Sequence, residues 1–386
     1  LTSTLFRFFA ALIFLLVAIP AFGAEPPPKI APALQPFVDS HALAGAVTLV
    51  SDKDKTLDLE AVGFMDIAAQ KPMQTDCIFW IASMSKPVTA TALMMLVDEG
   101  KVNVDDPVEK YLPEFKGQML SVGTGKDATL KPPAHPITVK NILTHTSGLV
   151  FMSKIEPGKV DTHSLKESVE SYAKSPLKFE PDTKYQYSNA GLNTAGRIIE
   201  VVSGMPYEEF LQKRLFDPLG MKDTTFWPSD EQMKRLAKSY KPNKDKSALE
   251  EISINQCTYP LTDRKRGPSP AGGLFSTAAD MGVFCRMILN NGTLDGKRYL
   301  SEAAVKQMTT PQTGEGLSGY GFGWSADKKA GGSFGHGGAY ATDMHIDQKR
   351  GLITIFMVQH AGFGTDGGKI MPAFRKAAEG FVPLQK

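Results

Sequence analysis

Ser83 and Lys86 stand three places apart, at the end of the apolar run Ile78-Phe79-Trp80-Ile81-Ala82 and at the head of a segment where Ala90, Leu93, Met94 and Val97 recur until Gly100. That spacing predicts a helix with Ser83 at its start, and on a helix both side chains share one face. A serine hydroxyl is a weak nucleophile until a base removes its proton, and the open N–H groups of a helix start favour a developing negative charge. Ser83 therefore reads as an activated nucleophile and Lys86 as its partner. The same spacing at Ser171/Lys174, Ser175/Lys178 and Ser325/Lys328 has Pro176 or a polar, turn-like setting beside it and no such helix start.

Two further groups of residues can complete the chemistry. Tyr187-Ser188-Asn189 precedes a helix that opens at Ala190. A tyrosine carries protons well only if its pKa of about 10 is lowered, and the Lys86 ammonium is the obvious group to favour the phenolate. Asn189 is expected to donate to Lys86 or to a substrate carbonyl. Alone, Tyr187 would read as one more ring beside Phe179 and Tyr185. The third group is Phe334-Gly335-His336-Gly337-Gly338-Ala339, on a strand near the C-terminus. Glycines inside a strand weaken it and mark a place where a ligand approaches the backbone. Here the N–H of Ala339, with that of Ser83, would form an oxyanion hole.

In this order, Ser83-x-x-Lys86, Tyr187-x-Asn189 and His336-Gly337-Gly338 resemble the serine beta-lactamase and penicillin-binding superfamily, in the branch of class C beta-lactamases, DD-peptidases and family VIII esterases. The phrases Leu143-Thr144-His145-Thr146-Ser147-Gly148-Leu149, Pro218-Leu219-Gly220-Met221 and Ala271-Gly272-Gly273-Leu274 fit as well, and the likeness runs from about Ile30 to Pro383. The resemblance implies an α/β (α+β) fold of beta-lactamase/transpeptidase type, an antiparallel sheet flanked by helices plus an all-helical region. It implies two-step acyl transfer through acyl-Ser83, with Lys86 and Tyr187 sharing the role of base and Tyr187 protonating the leaving group. Asn189, His336, Gly337, Gly338 and Ala339 would hold the substrate and its oxyanion, and neither a metal nor an organic cofactor is called for. The sequence departs from the family where most members carry lysine to hold a substrate carboxylate, because it has His336. An unperturbed histidine titrates near 6.5, so carboxylate recognition is expected to strengthen as pH falls toward about 6. Carboxylesterase or D-amino-acid peptidase action is therefore placed ahead of beta-lactamase action. The alternative, a non-catalytic sensor or scaffold on the same fold, would have no need for Ser83, Lys86, Tyr187 and Asn189 together.

The remainder of the 386 residues must position these groups. Strand-like alternation at Ala44 to Val50 and Leu57 to Val62 reads as a hairpin, and Tyr320 to Ser325, Gly335 to Ile346 and Leu352 to Gln359 read as strands. The sheet is thus expected from about 30–80 and 265–386, with helices over about 83–260 and a last helix from Lys369 to Phe381. Hydrophobic residues make up 42% and charged ones 22%, an ordinary balance for a globular chain with a sizeable core. A net charge of +2 leaves no basic surplus for nucleic acid, so a small-molecule or peptide-like substrate is the expected partner. His145 has no metal-ligand spacing to another histidine and reads as a loop buttress.

Residues 1–23 carry Arg7, an apolar run from Phe8 to Ile19, Pro20, and small residues at Ala21 and Gly23. This order reads as a signal peptide cut after Gly23, with a hydrolase domain over 24–386 in the periplasm or medium and no stable membrane span. Cys77, Cys257 and Cys285 cannot all pair, although export permits one disulfide; Cys77 before the nucleophile strand and Cys285 in a helical pattern read as buried small hydrophobes.

Overall fold

A computed structural model describes residues 29–123, 125–328 and 332–383. The expected leader, residues 1–23, lies outside the described residues. Among them the main sheet has seven strands: β1 (Gly45–Ser51), β2 (Thr56–Asp66), β3 (Lys71–Pro72), β4 (Ser325–Ala326), β5 (Ser333–Gly337), β6 (Asp343–Asp347) and β7 (Leu352–Met357). Their order is β4-β5-β6-β7-β1-β2-β3, and every neighbouring pair is antiparallel. The two ends of the chain meet at the centre, where Val47 lies opposite Met357 and Ser51 opposite Ile353.

Six helices matter most for the sheet and the site: α1 (Ala31–Asp39), α2 (Ser85–Asp98), α3 (Val139–Thr144), α4 (Asn189–Ser203), α5 (Ala278–Leu289) and α6 (Ile370–Glu379). Both central strands are buried along their whole length because helices cover both faces. On one face α6 places Ile370, Phe374 and Ala378, spaced four apart, against Leu34 and Val38 of α1 and Phe356 of β7. Burying one such phenylalanine is worth about 2 kcal/mol. Helix α1 begins with a proline-rich turn that offers no side-chain cap of its own, and the Glu60 carboxylate of β2 accepts from the Ile30 and Ala31 N–H groups instead. On the other face α5 presses on β1 so closely that a Cβ at Gly282 would sit 2.8 Å from the Leu49 side chain.

Helix α2 is the axis of the molecule. Every residue from Ser85 to Leu96 is buried, so this helix has no solvent face and packs between the sheet and α4. Of its buried hydroxyls, Thr89 Oγ1 donates to Pro270 O at 2.7 Å and pairs with the Tyr207 hydroxyl at 2.6 Å, whereas Thr91 Oγ1 has no partner among the described residues.

Three expectations need correction. Gly335 to Ile346 is not one strand but β5 and β6 joined by a tight turn, in which Gly338 N–H donates to Thr342 O and Ala341 adopts φ +65°. Residues 320–325 extend only at their end, because Gly323 takes φ +74° and lies against Lys86 O and the Ala90 side chain. The stretch expected to be helical also holds two hairpins, Leu120–Val122 with Thr129–Lys131 and Ser239–Pro242 with Leu249–Ile252. All three cysteines are buried and unpaired.

Candidate active site

The segment Phe79–Trp80 pairs with Phe275–Ser276, Trp80 Nε1 donates to Gly272 O, and Ile81 N–H donates to Leu274 O. The chain then turns sharply: Ala82 takes φ +45°, a conformation non-glycine residues adopt rarely and at a cost of roughly 1–3 kcal/mol. The 3₁₀ turn Ala82–Met84 follows and runs into α2. As a result Ser83 is the one residue between 77 and 96 that is not buried. The bend presents the hydroxyl at the surface of an otherwise closed core.

Lys86 lies directly behind it. Its Nζ is 3.0 Å from Ser83 Oγ, 2.9 Å from Asn189 Oδ1 and 2.7 Å from Ala271 O. Burial pushes the Lys86 pKa well below the ordinary lysine range, since no carboxylate compensates the lost hydration. A neutral amine has two N–H bonds and one lone pair. Asn189 and Ala271 accept the two N–H bonds, which leaves the lone pair for the Ser83 proton. Asn189 accepts where the sequence reading had it donate.

Tyr187 also differs from expectation. The Lys86 amine stands 4.7 Å from its ring centroid, but burial dominates and pushes the phenol well above its usual value, only partly offset by its bond with Ser83. Tyr187 is therefore held as the protonated phenol and not acidified as the sequence reading expected.

His336 on β5 is buried and fully engaged. Its Nδ1 donates to Gly337 O at 2.8 Å and its Nε2 accepts from the Tyr320 hydroxyl at 2.9 Å. Burial, reinforced by Lys86, lowers its pKa to about 3. The expected titration of His336 between pH 6 and 8 is thus overturned: both nitrogens are occupied and the ring stays neutral. Beyond it Gly338 has no room for a side chain, since a Cβ would lie 2.5 Å from Ile81 O, and Thr342 Oγ1 donates to that same carbonyl. These contacts bring the end of β5 and Ala339 against the turn that carries Ser83. Gly337 and Ala339 are exposed there.

One group with a direct bearing on the site was given no role by sequence, the Ala271 carbonyl; its only signal was the Gly272-Gly273 pair, which lets this loop lie against Ala82. His145, expected to buttress a loop, does so beside the site. It ends α3 in a left-handed conformation, φ +61°, and its carbonyl accepts from Gln186 N–H while its Nδ1 accepts from Ser188 N–H. The two bonds bracket Tyr187, whose ring lies 4.4 Å from the imidazole. Among the described residues no group of three or more His, Cys, Asp or Glu side chains is placed to hold a metal ion.

Comparison with known proteins settles the family. The family model described as Beta-lactamase matches residues 30–377. This chain belongs to the beta-lactamase family. Among its relatives, the lovastatin esterase of Penicillium rubens is 32% identical over 287 residues, covering 71% of this chain and 70% of the esterase. Esterase EstB of Burkholderia gladioli is 27% identical over 363 residues, covering 84% of this chain and 88% of EstB. The solved structure of EstCE1, a hydrolase with promiscuous acyltransferase activity, superposes with a TM-score of 0.75 at 23% identity, over 90% of this chain and 97% of EstCE1. The beta-lactamase/transpeptidase fold and the class of enzyme, a serine hydrolase, follow from these matches.

Proposed function

We propose that this beta-lactamase-family chain hydrolyses neutral carboxylic esters through an acyl-Ser83 intermediate. The observation that carries the reading is the Lys86 amine, buried, low in basicity and 3.0 Å from Ser83 Oγ. In the first step Lys86 takes the Ser83 proton as Oγ attacks the ester carbonyl, and the Ser83 and Ala339 N–H groups hold the oxyanion. The leaving alkoxide takes a proton from the Tyr187 phenol, which is replenished from the Lys86 ammonium. Water then attacks the acyl-enzyme by the reverse relay, so that ester and water become acid and alcohol. Tyr187 donates rather than accepts first because its phenol is held protonated.

Preference for neutral esters rests on His336. A neutral imidazole with both nitrogens engaged offers no charge to a substrate carboxylate, unlike the lysine its family resemblance leads one to expect. D-amino-acid peptides and β-lactams, which carry that carboxylate, rank second as substrates. The esterase relatives are in keeping with this order.

The test combines labelling with a substrate panel. A fluorophosphonate should attach to Ser83, and Ser83→Ala should lower kcat/KM for a p-nitrophenyl ester by at least about 10³-fold. In the unmutated enzyme the KM ratio of a carboxylate-bearing to a neutral ester should stay flat from about pH 5.5 to 8, because His336 does not titrate there. Label on Ser171, Ser175 or Ser325, or faster turnover of nitrocefin or D-Ala-D-Ala peptides than of esters, would refute the reading.

A further inference from the structure

Phe151 stands beside Tyr187, with ring centroids 6.4 Å apart and planes tilted by 30°, yet 47% of it is exposed. Of the six exposed large hydrophobic side chains among the described residues, it is the one in ring contact with a member of the site. Its backbone is not free to swing. The Ser188 hydroxyl donates to Val150 O at 2.7 Å, and Ala190 N–H donates to Phe151 O at 3.3 Å. Both bonds tie residues 150 and 151 to the segment that carries Tyr187. The next turn is anchored too, since the buried Glu156 carboxylate accepts from Ser153 N–H, the Ser153 hydroxyl and the Tyr172 hydroxyl. An apolar ring held open to water on a fixed support is a preformed wall for a ligand, because no ordering of the loop is needed when the ligand arrives.

We propose that Phe151 is the wall of the leaving-group subsite and that it selects esters of apolar alcohols. The proposal rests on the reading of Tyr187 as proton donor to the leaving group. The alcohol oxygen must come to the Tyr187 hydroxyl, so the carbon chain attached to it runs past the exposed Phe151 ring beside Tyr187. An acyl chain is attached at the carbonyl carbon instead, at Ser83, and leaves the site in another direction.

Two ester series separate these directions: acetates of ethanol, butanol and hexanol, and ethyl esters of acetate, butyrate and hexanoate. In the unmutated enzyme kcat/KM should rise by about twofold per methylene of the alcohol, part of the gain for a fully buried methylene. Phe151→Ala should flatten the alcohol series and leave the slope of the acyl series as it was, whereas Phe151→Leu should keep most of the alcohol slope. Fluorophosphonate labelling of Ser83 and an unchanged Tm show that each variant is folded. An alcohol slope that survives Phe151→Ala, or a change confined to the acyl series, overturns the proposal while the hydrolase reading stands. No turnover of any ester by the unmutated enzyme, with no label on Ser83, overturns the hydrolase reading and the subsite with it.

Discussion

Lys86 is a base only while it lacks a proton, and the residues that keep it so are uncharged. Asn189 Oδ1 and Ala271 O accept its two N–H bonds without supplying a negative charge that would favour the ammonium. Asn189→Asp changes almost nothing in shape but places a carboxylate about 3 Å from the amine, close enough to raise its pKa by one to several units. The expected result is a loss of about 10- to 100-fold in kcat/KM at pH 7, recovering as pH rises, since each unit of pKa is a factor of ten in the basic form. A pH–rate profile of the variant that overlays the parent would show that Lys86 is not the titrating base. The types and order of Ser83, Lys86, Tyr187 and Asn189 were legible in the sequence because chemistry demands them. Their ionisation was not. Tyr187 was expected to be acidified by Lys86 and is not, and His336 was expected to titrate near 6.5 and does not. Burial decides both: the rings of Tyr185, His145 and Tyr320 meet around Tyr187 and His336, and Tyr320 in particular comes from a stretch no local pattern connects to the motifs.

At the scale of elements, the C-terminal turn of α3 is a clamp on the segment that leads into α4. His145 holds Gln186 through its carbonyl and Ser188 through its ring, so Tyr187 has no freedom between them. It acts as a positioning residue. His145→Ala removes the ring acceptor and puts a Cβ-bearing residue with no local hydrogen bond at φ +61°. Asparagine tolerates that backbone region and its Oδ1 can replace Nδ1 as acceptor. Loss of about tenfold in kcat with little change in KM is expected for His145→Ala, roughly the scale set by misplacing one proton-transfer group, with much of it restored in His145→Asn. If both variants lose Tm alike while kcat per folded molecule stays at the parent value, His145 supports the fold and not Tyr187. Periodicity found the helices that carry an apolar stripe, such as α6, expected over Lys369 to Phe381 and observed at Ile370–Glu379. It failed at Gly335 to Ile346, where alternation runs straight through a turn made possible by Gly338 and the left-handed Ala341. Polarity patterns report which face is buried and are blind to a reversal of direction.

The whole molecule inherits a cost from burying so many imidazoles. His336 is lowered to about 3 and His360 to about 4, each chiefly by burial, and burial together with Lys86 and His336 puts His145 well below its ordinary value. A group that stays neutral when folded and takes a proton when unfolded gives the unfolded state more bound protons. Stability therefore rises with pH through the window between the folded and unfolded values, and it is lost as pH falls below about 6.5. One fully shifted histidine accounts for up to about 2 kcal/mol of loss by pH 5. Asp58 has the opposite sign: burial and Glu60 raise it to about 6, so acid relieves a strain there and offsets part of the loss. His345 is lowered by burial as well, while Glu208 and Asp280 are raised by burial as Asp58 is; with the imidazoles the more deeply buried, a net fall is expected, large beside a total stability of about 5–15 kcal/mol. Denaturant unfolding between about pH 7 and 5 should show ΔG dropping with a slope of roughly 1–3 kcal/mol per pH unit at the acid end. His360 accepts from Ala44 N–H at 3.0 Å, and its ring lies 4.9 Å from that of Phe363. His360→Asn should lower stability at pH 7 yet reduce the acid slope by about one proton's worth, near 1.4 kcal/mol per unit. A parent whose stability is flat or rising toward pH 5, or a variant with an unaltered slope, would mean that these imidazoles take up protons in the folded state after all.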